Sequence, residues 1–438
     1  MSHYKPYPAY RDSDVEWIGQ VPEHWRVTPL KVIAETVNGA TPESGKPEYW
    51  DGDIAWYTPT DIDNEVASEL GVPRRYITQA GYESCAVKLS PPGSVILSTR
   101  APIGSVGITT IPSTINQGCR TLIPAQDVPT SYLASTLVAA REELRLRGNG
   151  TTFQELSTEA LRSLRVPMPP RSECVSIASG LDRETTRIDA LIAKKSRFIE
   201  LLKEKRQALI THAVTKGLDT NVPMRDSKSE WIGEVPEHWR VCSLGYLSRI
   251  STGGTPDRKN DSYWNGEIPW VKTGEINYKI ISDTEERITD AGLSNSATFI
   301  AEPGTILMAM YGMGVTRGRV AVLGIPASFN QACAAISCSS GVHNWYVFYC
   351  LCAAYRFIRD LGNEASQVNL NLEIVSKIKV PVPPLLEQEE IEKHLVAQLQ
   401  KLDAIEQRVS NSISLIKERR SAFITAAVTG QIDLRESA

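Results

Sequence analysis

The chain has 438 residues, of which 42% are hydrophobic and 22% charged, with a formal net charge of −4. That length excludes a single core and predicts two or three globular domains. The slightly negative balance gives no global sign of nucleic-acid binding, so any such function must rest on local basic patches.

The N-terminal stretch MSHYKPYPAYRDSD lacks the apolar centre of a signal peptide. The apolar run from Trp345 to Ile358 is short and interrupted by Tyr355 and Arg356, which argues against a membrane span; the expected location is the cytoplasm. Eight cysteines, at 85, 119, 174, 242, 333, 338, 350 and 352, form no C-x-x-C pair and have no histidine at zinc-finger spacing. They are expected to be buried free thiols, and no metal site is expected.

In chain order, the first strong signal is WIGQVPEHWRV at 17–27. It recurs as WIGEVPEHWRV at 231–241, 214 positions later, with Gln20 replaced by Glu234. At the same offset YWDGDIAW (49–56) falls on YWNGEIPW (263–270), and Asn116-Gln117 with Cys119 falls on Asn330-Gln331 with Cys333. VPMPP (166–170) falls on VPVPP (380–384), and KEKRQALITHAVT (203–215) on KERRSAFITAAVT (417–429). The register slips only between about 62 and 115, where the copies differ most. A repeat this long is a duplicated domain, not a solenoid tile.

Each copy has two parts. The first alternates short β-rich runs with turn signals, such as SVILSTR after Pro91-Pro92-Gly93 and TILMAMY after Pro303-Gly304. A helix is predicted at 131–147, ended by Gly148-Asn149, with its equivalent from Trp345 to Leu361, ended by Gly362-Asn363. The fold class is therefore mixed α/β (α+β). The second part is a long amphipathic helix beginning after Pro169-Pro170 and again after Pro383-Pro384, because proline is tolerated only in a helix's first turn. Leu181, Ile188, Leu202 and Leu209 lie on a seven-residue stripe broken by Lys195. In the second copy Leu395, Leu402, Val409, Ile416 and Phe423 recur every seventh position, flanked by Ile391 and Ile405. Such seams predict two helices that pack on one another. The expected organisation is a first globular domain with its N-terminal segment at 1–166, a long helix and linker at 167–228, a second globular domain at 229–380 and a second long helix at 381–438.

Catalytic signatures are sparse. The stretch from Thr36 to Lys46 resembles a phosphate loop, but five residues separate Gly39 from Gly45 and Pro47 stands where a magnesium-binding hydroxyl belongs. Neither copy offers a Ser/His/Asp set, and His24 and His238, the histidines placed identically in both copies, sit in what reads as a packed turn. Basic residues instead gather in turn-rich segments where the copies diverge. These are Lys46, Arg74, Arg75, Arg100 and Arg120 in the first copy, and Arg258, Lys259, Lys272, Arg317 and Arg319 in the second. Arginine forks onto guanine and lysine holds phosphate, so these ten are the candidate DNA-binding residues.

The doubled WIGxVPEHW box, the YWxGxIxW segment, the Pro-Gly-led strands and the step from VPxPP into a long helix resemble the DNA-specificity (S) subunit of type I restriction–modification systems, over essentially the whole chain. The head of the second helix, LLEQEEI (385–391), has the family pattern; the first, RSECVSI (171–177), keeps Glu173 but has Cys174 where Gln388 stands. The resemblance implies two target-recognition domains that each read one half of a split double-stranded DNA sequence, held apart by two antiparallel helices. It implies no catalysis and no cofactor in this chain. Two modification subunits would bind S-adenosylmethionine and methylate adenine, and restriction subunits would translocate and cut DNA with ATP and Mg. Two readings compete: a fused methyltransferase or restriction enzyme with its own activity, and a scaffold that binds protein only. On this reading Trp17, Trp25, Trp231 and Trp239 pack each domain against its helix.

Overall fold

The computed structural model describes residues 4–62, 67–148, 154–312, 315–361 and 369–435. The chain forms two compact units, one of residues 1–195 with 410–438 and one of residues 196–409. Both long helices are continuous: Arg171–Lys216 and Leu385–Val428, of 46 and 44 residues. At 1.5 Å per residue each is about 65–70 Å long. No helix among the described residues is long and apolar enough to cross a membrane.

In the first unit a five-stranded sheet runs in the order Ala34–Asn38, Cys119–Pro124, Val95–Ser98, Val106–Ile108, Ser68–Glu69. The first four strands pair antiparallel and the last pairs parallel. Val95, Ile96 and Leu97 are all fully buried, because both faces of this sheet are covered. Val95 and Leu97 join the core containing Tyr132, Leu133 and Leu137 of the helix Thr130–Ala139. Ile96 points the other way, into a core with Ala55, Tyr57 and Ile115 of a three-stranded sheet. Period-two alternation thus sends successive side chains into two different layers. The second unit repeats this: Ile306 and Met308 meet Tyr346 and Leu351, while Leu307 and Ala309 meet Val271 and Phe329.

The three-stranded sheet is built on Trp50–Tyr57, flanked by Ser113–Ile115 in parallel and Arg75–Ile77 in antiparallel register. The YWxGxIxW segment marks a bulge here: two residues of the long strand, Trp50 and Ile54, face Ile77, as Trp264 and Ile268 face Ile288. Asp51 and Asn265 take left-handed φ values of 59° and 60°, tolerated by short polar side chains. Gly52 and Gly266 follow because a Cβ would lie 2.5 Å from the neighbouring strand's backbone. The bulge brings the two tryptophans of each segment into edge contact at 5.1 Å.

The predicted helix at 131–147 is two helices, Thr130–Ala139 and Arg141–Leu146. Ala140 has ψ near 0°, and the bend lets Arg141 donate to the Gly104 carbonyl at 3.0 Å. The equivalent break falls at Ala354, between Asn344–Ala353 and Tyr355–Asp360. The expected end signals Asn149 and Gly362-Asn363 lie outside the described residues.

Within each unit the two long helices run antiparallel. In the first, Ile177, Ala178 and Leu181 share a core with Phe423, Ile424 and Ala427. In the second, Leu202 and Ile210 share one with Ile391, Leu395 and Leu402. Of the predicted seam, Leu181, Leu202, Leu395, Leu402 and Phe423 are buried, and Ile188, Leu209, Val409 and Ile416 are half-buried. Ile405, expected to flank it, is exposed. A signal that sequence reading missed pins the register: Arg420 pairs with Asp189, and its repeat equivalent Arg206 pairs with Asp403. All eight cysteines are free, five buried and three half-buried.

Candidate nucleic-acid interface

The duplicated box is a structural clamp. Trp25 is 1% exposed and its indole N–H donates to Glu173 in the first turn of the long helix at 2.9 Å. His24 Nε2 lies 2.7 Å from the other carboxylate oxygen. In the second copy Trp239 and His238 each meet Glu387 at 3.0 Å. Arg11 and Arg225 donate to the carbonyls of Trp25 and Trp239, tying in the N-terminal hairpin. Trp17 and Trp231 donate to the Arg165 and Lys379 carbonyls, on strands of the globular part, and pack against cores that the helix residues Ile177 and Leu181, and Ile391 and Leu395, share. Both histidines are thus held by helix carboxylates.

The end of the second long helix closes the first unit's clamp. Gly430 turns at φ 75° against Pro22 and Trp25, Asp433 N donates to the Lys5 carbonyl, and Arg435 reaches both Asp433 and Glu173. The bonds to Arg435 hold the Asp433 carboxyl below the usual carboxylate range.

The segments that differ between copies meet at one end of the three-stranded sheet. Gly39 and Gly253 let the chain pass against the backbone of Asn116 and Phe329, where a Cβ would lie 1.9 Å away; this is a packing crossing and not a phosphate cradle. Beyond the crossing Thr41 Oγ1 contacts Gln117, and Thr255 Oγ1 contacts Gln331. A carboxylate staples the neighbouring loops in each unit. Asp61 accepts from Thr58 N at 2.8 Å and Arg74 N at 3.1 Å. Glu275 accepts from Lys272 N at 2.7 Å and Glu285 N at 2.9 Å. In the second unit a hollow of about 470 Å³ opens here, lined by Thr255, Arg258, Lys272, Glu285 and Asn330 among others.

Four of the predicted cations border this end of the sheets. Arg74 is largely exposed, 3.8 Å from Asp61. The guanidinium of Arg75 stacks 3.5 Å from the Trp50 ring. That of Arg258 stacks 3.9 Å from Trp264 while binding Glu286 at 2.6 Å. Lys272 bridges Glu285 at 2.8 Å and Glu286 at 3.1 Å, bonds that raise its pKa. Lys46 pairs with Glu43, and Lys259 is exposed on the same loop as Arg258.

The remaining cations are differently placed. Arg100 pairs with Glu155 at 3.3 Å. Arg120 donates to Thr158 and to the Gln117 and Cys119 carbonyls, and burial lowers its pKa. Arg317 is a correction to its expected place on a loop tip: it is 7% exposed and donates to the Arg359 carbonyl at 2.6 Å. Arg319 faces Tyr278 and donates to Asn277 at 3.3 Å. Sequence reading chose cations only, and so missed the carboxylates Glu275, Glu285 and Glu286.

Among the described residues no group of His, Cys, Asp and Glu is placed to hold a metal ion.

Comparison with known proteins agrees with this architecture. The specificity subunit of the type I restriction enzyme MjaIX from Methanocaldococcus jannaschii is 27% identical across 100% of this chain and 99% of its own. The EcoR124I/EcoR124II specificity subunit of Escherichia coli is 26% identical over 45% of this chain and 49% of its own. Two solved structures share the fold at 16% identity. One, from work on complex assembly and conformational transition of the type I R-M system, has a TM-score of 0.69 and covers 93% of this chain and 98% of its own. The other, the HsdS subunit from Thermoanaerobacter tengcongensis, has a TM-score of 0.51 and covers 94% and 98%. The family model for the type I restriction modification DNA specificity domain matches twice, at residues 22–201 and 236–415, and the chain belongs to that family.

Proposed function

We propose that this chain is the DNA-specificity subunit of a type I restriction–modification complex, with each globular domain reading one half of a split double-stranded site. The observation that carries this reading is a frame kept in duplicate, with tip residues changed between the copies. The clamp, the bulged tryptophan pair and the loop-stapling carboxylate recur at equivalent positions, whereas the side chains around the staple differ. A protein that presents one scaffold to like partners and two different surfaces to DNA needs that division. Side chains at loop tips can reach base edges, where sequence is read, while backbone contacts fix register.

In this reading the chain carries no catalytic group. Two modification subunits bring S-adenosylmethionine and methylate adenine after flipping the base out, and restriction subunits bring ATP and Mg. The complex works in the cytoplasm. The candidate contacts are Lys46, Arg74 and Arg75 in the first domain and Arg258, Lys259 and Lys272 in the second. Arg100, Arg120 and Arg319 serve mainly to hold their own loops, as does Arg317, which is buried and donates to the Arg359 carbonyl.

Co-expression with the modification subunits, followed by gel shift and methylation-sensitive sequencing of the host genome, tests the proposal. The expected result is sequence-selective binding and a two-part methylated motif that requires this chain. Methyl transfer by the chain alone would favour a fused enzyme, and absence of selective binding in every combination would favour a protein scaffold.

A further inference from the structure

The stapled loops carry different charges on an otherwise equal frame. Asp61 and Glu275 hold equivalent loops, so Thr58 corresponds to Lys272 and Arg74 to Glu285. Strand pairing fixes the third equivalence: Arg75 lies opposite Trp56, and Glu286 lies opposite Trp270. The first unit therefore presents a hydroxyl and two guanidinium groups where the second presents an ammonium and two carboxylates.

The second unit compensates for losing the arginine of that strand. Its tryptophan pair is still capped by a guanidinium, but the group comes from Arg258 on the opposite loop, where the first copy has Ser44. Arg258 then binds Glu286, and Lys272 binds Glu285 and Glu286. The packing requirement is met in both units, while Arg74 and Arg75 leave the first unit's set positive and Arg258 and Lys272 balance Glu285 and Glu286 in the second. Arg74 and Glu285 take no part in the cap, so this packing does not dictate their charges.

We infer, resting on the DNA-reading function proposed above, that these three positions in each unit set which bases that unit selects. The residues are Thr58, Arg74 and Arg75 in the first, and Lys272, Glu285 and Glu286 in the second. Guanidinium groups fork onto the N7 and O6 acceptors of guanine, so the first half-site contains a guanine edge. Carboxylates close to a phosphate backbone are repelled unless a cation balances them and a donor meets them. Glu285, with a side chain 73% exposed, has both the cation and the open side. The second half-site therefore presents an exocyclic amino group, as cytosine N4 does.

The test exchanges the positions between units in the full chain assembled with its modification subunits, and reads the methylated motif by long-read sequencing. One variant carries Ser44→Arg, Thr58→Lys, Arg74→Glu and Arg75→Glu, so that Trp50 keeps a guanidinium cap. The reciprocal variant carries Arg258→Ser, Lys272→Thr, Glu285→Arg and Glu286→Arg. Each is expected to change one half of the motif, a different half in each case, and to weaken binding to the original site by about tenfold or more, the scale of one good base contact. The exposed single change Arg74→Gln, which leaves the tryptophan stack intact, should relax the same half as the first variant. An assembled complex with an unchanged motif, or with both halves altered by one variant, overturns the inference. A wild-type complex that yields no two-part motif overturns the function proposed above, and this inference with it.

Discussion

Glu173 accepts the indole N–H of Trp25 at 2.9 Å across 148 positions of chain, and Glu387 accepts that of Trp239 at 3.0 Å across the same interval. One residue of each pair ends the duplicated box and the other opens the long helix, so the bond joins globular domain to rod. The two sites differ in setting. Glu173 is 9% exposed and also meets Arg435, whereas Glu387 is 27% exposed. Removing a buried, charged acceptor leaves its donors unpaired at about 1–3 kcal/mol. Glu173→Ala should therefore destabilise the chain by about 2–3 kcal/mol, and Glu387→Ala by less, in equilibrium denaturation with urea. Neither should alter the methylated motif of whatever complex still forms.

The residue after Glu173 explains why the copies differ at the helix start. Gln388 is fully buried, donates to the Pro383 carbonyl at 2.9 Å and accepts the His343 backbone N–H at 2.9 Å. The residue equivalent to His343 in the first copy is Pro129, which has no N–H to give. A glutamine there would leave its carbonyl oxygen unpaired, and the smaller Cys174, with its thiol 3.5 Å from the Pro169 carbonyl, avoids that. Burial pushes this thiol up to about 12, which keeps it neutral. Cys174→Gln should cost about 1–3 kcal/mol, and Pro129→His in the same chain should recover part of it. Urea denaturation of the single and double variants measures both; full additivity of the two changes would refute this account.

The salt bridges Asp189–Arg420 and Asp403–Arg206 are repeat equivalents, each linking the two long helices inside one unit. Their environments are unequal: the Arg420 side chain is 7% exposed and that of Arg206 is 32%. Exposed pairs contribute about 0.2–1 kcal/mol, whereas stranding a buried charge costs about 3–5 kcal/mol. Double-mutant cycles should give a clearly larger coupling for Asp189–Arg420. Asp189→Ala, which takes this carboxylate from the buried Arg420 guanidinium, should destabilise more than Asp403→Ala, and equal losses would contradict this ranking.

How far the sequence disclosed these features depends on their range. The duplication, the long helices and their seams were legible, because identity at a fixed offset and a seven-residue period are properties of the chain alone. The clamp was half legible. The box was evident, but its partner Glu173 lies 148 positions away and looks like any helix-start acid. Arg317 and Arg258 show the opposite difficulty. Both are arginines in turn-rich segments, yet one is buried and donates to the Arg359 carbonyl, and the other caps a tryptophan pair. Only three-dimensional approach distinguishes them. The acids around the second unit's mouth were passed over because a search for DNA contacts favours cations.

The C-terminal strap supplies a pH-dependent prediction. Asp433 accepts bonds from Arg435 at 2.6 and 2.9 Å, and these hold its carboxyl below the ordinary carboxylate range despite the opposing effect of burial. A depressed folded-state pKa means that the carboxylate stabilises the fold above its unfolded value, near 4. That stabilisation is lost as pH falls through the lower folded value. Asp433→Asn should therefore lower the thermal midpoint at pH 6–7. The gap from the parent chain should narrow steadily below about pH 4, where the parent's own carboxyl becomes protonated. Because Arg435 also reaches Glu173, the variant should leave that guanidinium bonded to the clamp. The midpoint loss should then be smaller than for Arg435→Ala, which releases both carboxylates at once. Thermal unfolding of the three chains across this pH range decides the matter, and a gap that widened on acidification would show that the strap is held by something other than Asp433.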